Sequence, residues 1–222
     1  MPVPGTSATT TARVLARDRA YDAVKKAILA RTILPGERLD DEKLQAWLGM
    51  SKTPIRQALH ALALEGFIET AAQSYTRVVE PRPEDAVLHL QTIGVFVLGV
   101  LDLTVGTLSD LQRTELLQDL GLLIGSLEDE DIDRSIAASQ AYYARLMKAC
   151  PNHVLVELSE RTLAARAYYV VVAYRALGIA WDEAAAAYRR IRDALAEGHR
   201  QELSDATAAV FRIDVPKAVA GV

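Results

Sequence analysis

The sequence is short of several things, and each shortage removes a class of function. It has one cysteine, Cys150, which excludes an intramolecular disulfide and any cysteine-rich zinc module. That usage fits a reducing cytoplasm. No apolar run reaches the roughly 20 residues that cross a bilayer. The most apolar, Ile93 to Leu101, is flanked by His89, Gln91 and Asp102 and reads as a buried helix. There is no excess of positive charge, the net value being -4. Nucleophile elbow, phosphate-cradling glycine loop, His-Glu-x-x-His motif and convergent carboxylate pair are all missing, so a helical enzyme lacks its machinery. Residues 1–11 are small and polar without a basic start, which reads as a disordered tail and not a signal peptide.

What is present is a chain of 222 residues, half of them hydrophobic, enough for one large core or two smaller ones. The charge is unevenly spread. Residues 12–80 carry eleven Lys/Arg against nine Asp/Glu, and the rest carries fourteen against twenty. An acidic body and a weakly basic N-terminal part suit an approach to phosphates by one end only. Within that part, Asp40 to Gly66 reads as two short helices joined at Gly49-Met50-Ser51. Asp40 and Asp41 supply a helix start, and Leu44, Trp47 and Leu48 an apolar stripe. Gly49 can end the first helix in a left-handed conformation, Ser51 can cap the second, and Pro54 falls in its first turn. Ile55, Leu59 and Leu62 then face inward, leaving Lys52, Thr53, Arg56, Gln57 and His60 in front. A helix with a buried rear and a basic, hydrogen-bonding front suits the major groove.

This stretch resembles the winged helix-turn-helix of the GntR family of bacterial transcription regulators. The match begins at Ile33-Leu34-Pro35-Gly36-Glu37-Arg38-Leu39 and is densest from Gly49 to Leu59. The resemblance implies double-stranded DNA as partner, in the form of a near-palindromic operator bound by a homodimer. It makes Lys43, Ser51, Lys52, Thr53, Arg56, Gln57 and Arg77 the candidate contacts. A first helix is expected before the motif, with Tyr21, Val24 and Ile28 inward and Lys25 elsewhere. Residues 67–70 and 75–79 read as the two strands of the wing, whose connection, 71–74, lacks the family's usual glycine.

Residues 81–85 read as a linker stiffened by two prolines. Beyond it helical periodicity continues, with helices expected over 84–107, 109–127, 130–150, 152–177, 181–197 and 199–213. The fold class is mainly α: a winged helix-turn-helix domain over 12–80 and an all-helical bundle over 86–222. The latter is similar to the effector-binding and dimerisation domain (FCD type) of the FadR-like subfamily. Many members of that subfamily hold a divalent metal through one Asp and three His. Here those positions fall on Ser139, Tyr143, Tyr188 and Val210, none a good zinc ligand. The four histidines, His60, His89, His153 and His199, show no ligand spacing. No metal and no cofactor are therefore expected, and the same four positions become candidates for holding a small organic effector. The implied function is a cytoplasmic, effector-responsive regulator, a repressor in the preferred reading. The alternative is a thiol-responsive regulator using Cys150.

Overall fold

A computed structural model describes residues 15–71 and 75–213, which fall in two compact units, Met1–Glu80 and Pro81–Val222. The tail expected over residues 1–11 lies outside the described residues, as does the wing tip, 72–74. The fold is mainly α, with a small wing sheet in the first unit and only helices and single helical turns in the described part of the second.

The first unit runs α1 (Ala16–Leu29), α2 (Asp41–Leu48), α3 (Lys52–Glu65), β1 (Ile68–Ala71) and β2 (Tyr75–Val78). Its core is built from Ala20, Val24 and Ile28 of α1, Leu44 of α2, Ile55, Ala58, Leu59 and Leu62 of α3, and Phe67, Ile68 and Val78 of the wing. Lys25, expected to point away, is instead part-buried. It donates to Glu65 Oε2 at 2.8 Å and to the Tyr21 hydroxyl at 2.6 Å, while Tyr21 donates to Glu65 Oε1 at 2.6 Å. This cluster pins α1 to the end of α3, because neither charge would stay out of water unpaired. The strands pair antiparallel with Ile68 opposite Val78. Residues 37–39 add a short third edge, with Leu39 N–H donating to Thr76 O at 2.8 Å and Val78 N–H to Glu37 O at 3.0 Å.

The second unit contains α4 (Ala86–Thr104), α5 (Asp110–Glu128), α6 (Ile132–Ala149), α7 (His153–Leu177), α8 (Trp181–Glu197) and α9 (Arg200–Val210). Its caps follow local sequence. Ser109 and Gln112 form a reciprocal capping box, Asp131 accepts from Arg134 N–H, and Asn152 accepts from Leu155 N–H at 3.0 Å. The segment expected as a linker contains a helical turn, Pro83–Asp85, that packs on α4 and α7. Helix α5 lies against α6 and α8, α8 against α9, and α4 against α7 and α9. The core gathers Val97, Val100, Leu101, Leu116, Leu120, Tyr142, Leu146, Ile191, Leu195, Leu203 and Phe211. Gly94 is where α4 meets Phe211: a Cβ there would lie 2.3 Å from the Phe211 Cβ, so no larger residue fits unless the chain shifts.

Helix α4 departs from the buried helix expected. Val97, Val100 and Leu101 are buried, but Leu88, Val95 and Leu103 form a stripe of exposed apolar side chains. By length and composition the stretch Pro83–Thr107 could cross a membrane. About a third of its most apolar part is buried in the unit, while Leu88, Val95 and Leu103 face outward.

Candidate nucleic-acid interface

The geometry of α2 and α3 starts from local chemistry. Asp40 Oδ1 accepts from the N–H groups of Glu42 and Lys43, both at 2.9 Å, and satisfies two of the donors that open α2. Gly49 ends α2 at φ 64°, a left-handed conformation costly for residues with a Cβ. Two local expectations are corrected. Ser51 has the extended backbone of a cap, but its side chain makes no capping hydrogen bond and its hydroxyl is exposed. Trp47 does not join Leu44 in the core and is 52% exposed. Eight residues give only about two turns, and one buried leucine already anchors this helix.

Helix α3 buries Ile55, Ala58, Leu59 and Leu62 completely or nearly so. Its opposite side carries Lys52, Thr53, Arg56, Gln57 and His60, which together line one shallow, open depression. Five of the sequence candidates for DNA contact, Ser51, Lys52, Thr53, Arg56 and Gln57, are thus exposed at one end of one helix. Lys43 is exposed on α2.

The electrostatics of this surface centre on Asp41. Its Oδ2 accepts from Arg56 Nη2 at 2.8 Å and Arg56 Nε at 3.1 Å, and lies 3.0 Å from Lys52 Nζ. Partial burial pushes the carboxyl pKa up, but the hydrogen bonds from Arg56 and Lys52 outweigh it and hold the group below the ordinary aspartate value. Sequence spacing gave no sign of this pairing, which joins residues fifteen apart on separate helices.

Arg77 is engaged within the wing. It pairs with Glu69 directly across the strands, and its guanidinium lies 4.7 Å from the Tyr75 ring centroid. Arg38, a cation that sequence reading assigned no role, is exposed on the neighbouring edge with its guanidinium 5.8 Å from the same ring.

In the second unit, Tyr143 of α6 and Tyr188 of α8 meet hydroxyl to hydroxyl at 3.1 Å, and Ser139 lies one helical turn before Tyr143 on α6. Val210 packs against the same apolar cluster as the two tyrosines. Burial pushes the Tyr188 phenol up to about 12 and that of Tyr143 well above its ordinary value, so both stay neutral at physiological pH. A neutral phenol donates and accepts hydrogen bonds but is a poor zinc ligand.

The expectation for the histidines needs one correction. His199 Nδ1 lies 3.1 Å from Glu197 Oε2 and 3.3 Å from Glu202 Oε2, a grouping within metal-ligand reach. All three side chains are surface-exposed, and His199 stands at the N-cap position of α9, whose positive dipole end disfavours a cation. Cys150 ends α6 and packs against the apolar core cluster.

Comparison with known proteins bears on both units. Residues 16–78 match the family model described as bacterial regulatory proteins, gntR family. The Nta operon transcriptional regulator of Aminobacter aminovorans is 46% identical over 48 residues, covering 21% of this chain and 23% of that protein. An HTH-type transcriptional regulator in an unstable DNA locus of Streptomyces ambofaciens is 28% identical over 144 residues, covering 64% and 58%. The matched segments thus span less than two thirds of either curated relative. Both are named as regulators and neither as an enzyme. Among solved structures, E. coli McbR/YncC shares the fold, with a TM-score of 0.71 at 21% identity over 91% of this chain and 96% of that one.

Proposed function

Residues 16–78 form a gntR-family helix-turn-helix domain, and from that premise we propose that the chain is an effector-responsive, DNA-binding transcription regulator that acts as a homodimer in the cytoplasm. The observation that carries this reading is α3: a fully buried rear beneath a front of Lys52, Thr53, Arg56 and Gln57. In this reading α3 enters the major groove with its N-terminal turn toward the bases. Arg56 reads a base edge, Lys52 and Lys43 contact phosphates, and the exposed Ser51 and Thr53 hydroxyls fix the register. Arg77, already held by Glu69, serves a backbone phosphate at the wing.

Dimerisation is supported by the exposed Leu88, Val95 and Leu103 of α4 and by Val154 and Leu158 of α7, the helix packed beside it. Outward apolar side chains on two helices packed together are the kind of surface that favours association. Two heads on a two-fold axis call for a near-palindromic operator.

The effector, in this reading, is a small organic molecule of apolar or weakly polar character, bound without metal where Ser139, Tyr143 and Tyr188 present hydroxyls among apolar neighbours that include Val210. It acts by binding one spacing of the two heads better than the other, and repression is lifted when the preferred spacing no longer fits both half-sites. The test is selection of duplexes from a random pool by the full-length protein at fixed salt. Enrichment of an inverted repeat with half-sites about one helical turn apart is expected. Recovery of a pool no different from the input would refute the reading.

A further inference from the structure

The arrangement of Asp41 reaches beyond the list of DNA contacts. Arg56 uses one edge of its guanidinium, Nε and one N–H of Nη2, on a single carboxylate oxygen of Asp41. The other edge, Nη1 together with the second N–H of Nη2, makes no such contact with that carboxylate. That end-on edge is the one that donates two parallel hydrogen bonds to O6 and N7 of guanine. Lys52 is tied to the same oxygen, so one negative charge holds two cations at the start of α3. The two cations are 55% and 65% exposed, whereas Asp41 is 22% exposed, so the anchor is the firmer partner.

We propose that Asp41 is a positioning residue for sequence discrimination: it aims Arg56 end-on at a guanine and withholds one unit of positive charge from indiscriminate phosphate binding. The inference rests on the DNA-binding reading above. Its physical basis is that phosphate attraction is sequence-blind, whereas a held guanidinium rewards one base. An unheld Arg56 would sample many rotamers and reach phosphates as readily as a base edge. With Asp41 in place the group of three carries a net +1, and without its charge it carries +2.

The experiment uses the full-length protein and two duplexes: the sequence it selects from a random pool, and a scrambled duplex of the same composition. Asp41→Asn keeps the side chain's size and removes its charge. One more cation facing DNA steepens the dependence of log affinity on log salt by about 0.9 per engaged head, which corresponds to about eightfold between 1 M and 0.1 M salt. Affinity for the scrambled duplex should rise by about that factor at 0.1 M, while affinity for the selected duplex rises less, so their ratio falls. Preference at the guanine of the selected site, read with single-base-pair variants, should weaken at that position alone. Asp41→Glu, which keeps the charge, should recover most of the ratio.

An Asp41→Asn protein that loses affinity for both duplexes equally, or keeps ratio and salt slope unchanged, overturns the proposal and leaves Asp41 a structural brace. Failure of the wild-type protein to select any duplex would instead overturn the DNA-binding reading on which it stands.

Discussion

Replacing Arg56 by alanine separates recognition from folding. The side chain is 65% exposed, and its recorded ion pair is with Asp41 at the surface. Exposed pairs contribute about 0.2–1 kcal/mol, and alanine is at least as good a helix former as arginine, so the fold should lose less than about 1 kcal/mol. Asp41 is not orphaned, because Lys52 remains 3.0 Å away. Binding is a different matter. Loss of an end-on base contact costs about 1–3 kcal/mol, or about 5- to 150-fold in affinity per half-site, and relaxes the sequence preference at one base pair. Fluorescence anisotropy with the selected duplex at fixed salt, alongside thermal unfolding of the free protein, measures both. The opposite pattern is expected from Ile55→Ala on the buried side of the same helix, where a fully buried isoleucine is lost. There the fold should weaken by about 2–5 kcal/mol, and binding should fail because the unit unfolds. Arg56→Ala with unchanged affinity and unchanged base preference would remove this residue from recognition and refute the reasoning.

Other expectations follow from the second unit. Gly94→Ala would push a methyl into Phe211 and should destabilise that unit by about 1–3 kcal/mol in a denaturant titration, with the wing unit unaffected. Tyr188→Phe removes the hydroxyl that meets Tyr143 and should cost about 0.5–1.5 kcal/mol of stability, with weaker binding of any effector seated there. The same tyrosine predicts an alkaline signature. Its phenol is raised in the folded state from 10.0 to about 12, so its contribution is intact below about pH 10 and is lost as pH climbs through 12. Unfolding curves of the wild type should show that decline, and those of the Phe variant a smaller one, since the raised Tyr143 phenol still contributes. Leu88→Glu combined with Val95→Glu should halve the mass seen by light scattering if α4 forms the dimer face.

How much of this was legible beforehand depended on the distance over which each feature is decided. Asp40, Gly49 and Pro54 act on their immediate neighbours, so helix ends and the turn between α2 and α3 could be read directly. Six helices in the second unit were legible because their breaks fall near Gly106, the Glu128-Asp129-Glu130 run, Pro151-Asn152, Gly178 and Gly198, each a local stop or start. Trp47 was misplaced because in an eight-residue helix one buried leucine is anchor enough, and periodicity cannot say which apolar residues stay out. Lys25 with Glu65, Asp41 with Arg56, and His199 between two glutamates are decided by tertiary contact or by the exact course of a loop. The meeting of Tyr143 and Tyr188, forty-five residues apart, was reached by likeness to a family and not by any periodicity in the chain.

The way α4 is completed has a bearing on synthesis. Gly94 lies beneath Phe211, and the Gln91 side chain donates to the Arg212 carbonyl at 2.8 Å across 121 residues of chain. On the ribosome, α4 must therefore emerge with its greasy groove unfilled and wait while five further helices are translated. The first unit, compact within the residues up to Glu80, can mature during that interval. The second unit is assembled last, because its core closes only when α9 and Phe211 have been released.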